Sequence, residues 1–153
     1  MEPKVAREIA CGLHAGQRNR FGEPLVDHLA RVASAVPPHA QATAWLHDAI
    51  ERTTVRAEEL RAAGLTIAEL EALELLARAP SESYELYALR IAFADGEAGD
   101  LARLVKLADL DDHMTHRERP ADAPPYGWAR RRIASAAARL AAGQAARLGA
   151  DTA

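Results

Sequence analysis

The chain has 153 residues, 49% apolar and 27% charged, which suits one globular domain able to bury a sizeable core. A net charge of −3 with the two signs interleaved excludes the concentrated basic surface of a nucleic-acid binder. The single cysteine, Cys11, excludes an internal disulfide, and no apolar run reaches the ~18 residues that a membrane span needs. With early acids and no long apolar segment near Met1, a cytoplasmic location is the expectation.

Helical spacing dominates from the start. A first helix is expected from about Pro3 to Gln17, with Val5, Ile9 and Leu13 on one stripe. The polar turn RNRFGEP follows, and Pro24 opens a second helix carrying Leu25, Leu29, Val32 and Val36. Pro37 and Pro38 end it, since proline cannot extend the hydrogen-bond ladder. The third helix is expected from about His39 to Arg52, and Thr53 or Thr54 caps a short fourth one that Gly64 stops.

Thr66 and Glu69 form a capping-box pattern ahead of TIAELEALELLARA, which Pro80 ends. Ser81 or Ser83 starts SYELYALRIAFAD, in which Leu86, Leu89, Ile91 and Phe93 predict substantial burial. Gly96 and Gly99 mark a turn before DLARLVKLADLDDHM. A charged, proline-rich loop spans 115–127, and from Trp128 to about Leu148 the tail returns to helix with Ile133, Ala137, Leu140 and Leu148 facing the body. Nothing alternates with period two and no repeat is present. The fold class predicted is therefore all-α, a single multi-helix domain over 1–150 with its oligomeric state open.

Four ligand-type residues interrupt these apolar stretches: His28, the adjacent pair His47 and Asp48, and Asp109. Glu51 lies one turn beyond the pair, on the same helix face. Adjacent His47 and Asp48 diverge by about 100° on a regular helix, so both reach one ion only near a helix seam. Taken singly, each has a plain explanation. His28 reads as a hydrogen-bonded helix residue, Asp48 and Glu51 as solvated carboxylates beside Arg52, and Asp109 as the partner of Lys106. Taken together, imidazole nitrogens and carboxylate oxygens suit one divalent transition metal such as Mn²⁺, Fe²⁺ or Zn²⁺. Such an ion activates water and stabilises phosphoryl charge, with Glu51 managing the water.

The blocks HAGQRNRFGEPLVDHLARVA (14–33), AWLHDAIERT (44–53) and VKLADLDDHM (105–114) resemble the HD-domain phosphohydrolase superfamily. The longer match is to the hydrolase domain of RelA/SpoT-type enzymes and their small stand-alone relatives. The resemblance is strongest over 14–114. It implies an HD-type fold, His28, His47, Asp48 and Asp109 as metal ligands, and Mn²⁺ as the preferred ion. It also implies a small phosphorylated substrate of the nucleotide class, with guanosine 3′,5′-bis(diphosphate) 3′-pyrophosphohydrolase the closest named activity. Neither a nucleic-acid polymer nor a membrane is an expected partner.

The chain departs from the family pattern at several positions. Glu51 matches the first acid of the HDxxED block, but Arg52 replaces the second and is expected to contact substrate phosphate. Asn19-Arg20 stands for an arginine-lysine pair, leaving Arg20 as a phosphate ligand beside Arg18. Leu25 replaces a tyrosine. Asp112, three residues past Asp109, stands where an asparagine is expected and brings negative charge to the substrate side. Lys106 is a further phosphate candidate, His14 reads as structural or supporting, His113 and His116 as rim residues, and Tyr84 and Tyr87 as nucleotide contacts or core. Arg52 and Asp112 also fit an alternative, a non-catalytic nucleotide-binding or regulatory domain. A third reading is a structural interaction domain in which the ligand-type residues never converge.

Overall fold

The computed structural model describes residues 1–19, 22–115 and 125–150, the segment 147–150 as helix backbone only. The described residues are all-α. The helices are α1 (Pro3–Leu13), α2 (Leu25–Ser34), α3 (Gln41–Leu46), α4 (Ala49–Arg52), α5 (Ala57–Ala62), α6 (Ile67–Leu76), α7 (Tyr84–Phe93), α8 (Gly96–Thr115) and α9 (Tyr126–Ala150). None among the described residues is long and apolar enough to cross a membrane.

Helix α8 is the central post, packed by α2, α6, α7 and α9, while α1 and α2 flank α3. Val32, Leu76, Ile91, Leu101, Val105, Leu110 and Ile133 join in one apolar cluster around α8. Leu29, Leu46, Leu60, Leu65 and Leu73 form a second, and Trp45 packs against both. Fully burying a leucine of this kind contributes on the order of 2 kcal/mol, so these clusters fix how the helices sit around the site.

Local chemistry explains most element boundaries. Thr66 Oγ1 accepts from the Glu69 amide at 3.1 Å and the Glu69 carboxylate returns the bond to the Thr66 amide at 2.7 Å, the expected capping box. Ser83, one of two candidates, caps α7 through the Leu86 amide. Helix α5 is instead preceded by Arg56, whose amide donates to Glu59 at 2.8 Å. Thr53 spends its hydroxyl on its own turn, donating to the Ala49 carbonyl and accepting from the Val55 amide.

Several expectations need correction. Helix α1 stops at Leu13, short of Gln17, and buries Ala6 and Ala10 while Val5 is 41% exposed. Small side chains let α1 lie close against α3, which shifts its buried stripe by one position. On α7 the buried face is Tyr87, Ala88, Ile91 and Ala92, leaving Leu86 and Phe93 on the surface. Gly96, with φ +71, opens α8 rather than lying in a turn before it, and Gly99 is inside the helix. A Cβ on Gly99 would collide with the Ala94 carbonyl, so the glycine serves a close approach of α7's end to α8. Helix α9 begins at Tyr126 and does pack on the body through Ala129, Ile133 and Ala136. The side chains of Arg147 and Leu148 lie outside the described residues.

The expected third helix is broken. Regular α-helix ends at Leu46 and resumes at Ala49, with His47 and Asp48 in a turn between them. His47 Nδ1 donates to the Ala44 carbonyl at 2.8 Å. In an uninterrupted helix that oxygen would receive the Asp48 amide, so the imidazole competes with the backbone ladder where the helix breaks.

Candidate metal centre

Three separate segments bring the sequence's ligand-type residues together. Helix α2 supplies His28, the α3–α4 break supplies His47 and Asp48, and α8 supplies Asp109. His28, His47 and Asp48 each offer a donor atom, and these lie within 4.8 Å of one another. A second trio, His28, Asp109 and His113, meets the same condition and shares His28 with the first. His28 Nε2 is 3.2 Å and His47 Nε2 3.9 Å from the same oxygen, Asp109 Oδ1, and Asp48 Oδ1 is 3.7 Å from His47 Nε2.

His47 is the most telling residue. The Ala44 carbonyl can only accept, so Nδ1 carries the ring proton. Burial pushes the His47 pKa down despite the nearby carboxylates, keeping the ring neutral. Its Nε2 therefore presents a lone pair, buried and without a hydrogen-bond partner among the described residues. The groups facing that lone pair are carboxylate oxygens of Asp48 and Asp109. Acceptors facing acceptors in a buried space repel one another unless a cation lies between them. The donor set of imidazole nitrogens and carboxylate oxygens fits a divalent transition metal.

The neighbouring charges are arranged to keep the carboxylates ionised. Burial alone would raise the Asp109 pKa, but Lys106 and hydrogen bonds from His113 and His28 hold it well below the usual range. Lys106 Nζ donates to Asp109 Oδ2 at 2.7 Å and sits 4.9 Å from the Tyr87 ring centre. Burial opposes the charge on Lys106 too, and Asp109 with the two tyrosines overcomes it. Asp48 pairs with Arg52 Nε at 2.7 Å, an i,i+4 contact. Burial opposes the charge on Asp48, and the Arg52 guanidinium beside it lowers its pKa.

Asp112 does not take the expected place on the substrate side. Its carboxylate lies behind His28, accepting from Nδ1 at 2.7 Å and from Arg31 Nε at 2.6 Å. It also borders a separate surface hollow with Ala30, Arg31 and Asp111. The consequence is a fixed ring: an Nδ1 proton held by Asp112 directs Nε2 toward Asp109. His28 between two carboxylates has its pKa raised to about 9, the hydrogen bonds to Asp109 and Asp112 outweighing burial, which acts the other way.

A cavity of about 280 Å³ opens onto this cluster. Its wall includes His47, Asp48, Asp109, Glu51, Arg52 and Lys106, so every one of these predicted site residues faces one space. Glu51 is fixed there by accepting the Arg78 backbone amide at 2.8 Å. Arg20 and His116 lie outside the described residues, while Arg18 and Asn19 border the cavity. Tyr84 lines the cavity with its hydroxyl unpartnered among the described residues, and Tyr87 donates to the Leu76 carbonyl at 2.6 Å. His14 is fully buried; its Nδ1 faces the Gln17 side-chain oxygen at 3.0 Å, and its Nε2 has no hydrogen-bond partner among the described residues.

Arg78 and Tyr126 on the wall escaped the sequence reading, and His113, expected at the rim, lies on the wall itself. Arg78 follows α6, where the apolar pattern ends, and no spacing marks it. His113 is four residues after Asp109 on the same face of α8, a relation the helical period could have revealed. No protein-family model matches the sequence, and the search of curated proteins finds no match.

Proposed function

We propose that the protein is a metal-dependent phosphohydrolase acting on a small phosphorylated molecule of the nucleotide class. The observation that carries this is the buried His47 Nε2, a lone pair that faces carboxylate oxygens and has no hydrogen-bond donor among the described residues. His28, His47, Asp48 and Asp109 would hold the ion, with Mn²⁺ preferred and Fe²⁺ or Zn²⁺ compatible with the same donors. Bound there, a divalent ion supplies Lewis acidity toward a phosphoryl oxygen and toward water.

The remaining chemistry belongs to the chain. Glu51 on the cavity wall positions the attacking water and takes its proton as oxygen attacks phosphorus and the phosphoester or phosphoanhydride bond breaks. Arg18, Arg52 and Arg78 surround the same space, and a guanidinium fork matches phosphate oxygens two at a time. Lys106 is committed to Asp109 and acts by holding that carboxylate. The HD-type fold and guanosine polyphosphate 3′-pyrophosphohydrolysis remain the named form of this reading, supported by the sequence blocks around the four ligands.

Chelator-stripped protein titrated with Mn²⁺ is expected to bind the ion stoichiometrically, and His47→Ala to lose it. A panel of nucleotide mono-, di-, tri- and polyphosphates with Mn²⁺ is then expected to reveal turnover that Glu51→Gln abolishes. Failure of the wild type to bind any divalent ion would remove the basis of the proposal. A second reading, a non-catalytic nucleotide-binding or regulatory domain, is favoured by one contact, Arg52 Nε on Asp48 Oδ2 at 2.7 Å. A guanidinium seated on a proposed ligand competes with the ion for that carboxylate. Ion binding with no turnover across the panel would select this reading.

A further inference from the structure

We infer that His113 is an additional protein ligand of the metal centre, making the donor set three imidazoles and two carboxylates. The inference rests on the metal-site reading above and deepens it. His113 Nε2 is 3.1 Å from Asp109 Oδ1, the oxygen that His28 Nε2 also approaches, at 3.2 Å. Three imidazole Nε2 atoms, from α2, the α3–α4 break and α8, are thus gathered about one carboxylate oxygen.

Distance supports the assignment. The donor atoms of His28, Asp109 and His113 lie within 4.8 Å of one another. Two donors each about 2.1 Å from one ion are at most about 4.2 Å apart, so a shift of under an ångström brings the trio to bonding distance. The ring is also held in place. His113 stacks on Tyr126 with centres 5.0 Å apart and planes 15° from parallel, and it borders the same cavity as His47, Asp48 and Asp109. Its Nδ1 is buried with no partner among the described residues, so the ring makes its polar protein contact through Nε2, on Asp109. Helix α9, through Tyr126, thereby becomes part of the metal centre's scaffold. The nitrogen-rich set favours a transition ion over Mg²⁺ or Ca²⁺, which prefer oxygen.

The test is X-ray absorption spectroscopy of the wild type and His113→Ala, both loaded with Zn²⁺ or Mn²⁺, beside chelator-competition affinities. The expected result is three imidazoles on the ion in the wild type and two in the variant, with affinity weaker by about a hundredfold. His113→Gln, which keeps a hydrogen-bonding end toward Asp109, is expected to show the same loss and serves if alanine impairs folding. An unchanged imidazole count of two in both proteins would overturn the inference, reducing His113 to a hydrogen-bond partner of Asp109. That result leaves the metal site itself standing. Absence of any bound ion in the wild type would instead remove both readings.

Discussion

Replacing Asp112 with asparagine separates two roles for one residue. Facing the substrate, its negative charge would repel phosphate, and Asp112→Asn would tighten substrate binding while leaving the ion untouched. Its position behind His28 predicts the opposite. The carboxylate accepts from His28 Nδ1 at 2.7 Å and from two Arg31 nitrogens at 2.6 and 3.1 Å. Asparagine keeps an oxygen for His28 but loses the charge that makes the imidazole more basic, and it breaks the paired contact with Arg31. Loss of such a supporting group typically weakens metal binding by about 10–100-fold, or about 1.4–2.7 kcal/mol. Competition against a chelator of known strength measures this directly, with a thermal melt to show that the variant is folded. Mn²⁺ affinity unchanged in a folded Asp112→Asn variant, together with a lowered KM, would refute the orienting role and restore the substrate-facing one.

Further predictions follow from the packing. Tyr87→Phe leaves the buried Leu76 carbonyl without its 2.6 Å donor and is expected to lower unfolding free energy by about 1–2 kcal/mol in urea titration. Gly99→Ala drives a methyl group into the Ala94 carbonyl, and a loss of about 1–3 kcal/mol is expected from the same measurement. Arg90 joins the end of α6 to α7 by donating to the Leu75 and Ala77 carbonyls and to Glu82. The hydrogen bond from Arg90, the largest influence, holds the Glu82 carboxyl below its usual 4.5. The pair therefore stabilises the fold above that pH and loses its contribution as pH falls through the lowered value. After solvent screening the effect is about 0.5 kcal/mol, and its absence in Glu82→Gln across an acid series of melts is the check.

The all-α class was legible in the sequence because helical periodicity and capping are local. Thr66 and Glu69 cap α6 as their spacing requires, and Pro24 and the Pro37-Pro38 pair bound α2 because proline lacks an amide donor. The candidate ligands His28, His47, Asp48 and Asp109 were legible for a related reason. Histidines and acids inside apolar helical stretches cost free energy to bury alone, so their presence signals partners.

What the partners are was decided only in three dimensions. Asp112 and Asp109 are three residues apart on one helix, yet one faces the cavity and the other the back of His28, because α2 lies across α8 there. The break at His47 and Asp48 depends on a ring nitrogen taking the Ala44 carbonyl, a competition that composition does not reveal. Arg78 reaches the cavity only because the chain after α6 folds back over Glu51. Periodicity assigns a residue to a face of its own helix. Which neighbour that face meets is set by the packing of the whole bundle, and there His113 meets Asp109, His28 and Tyr126.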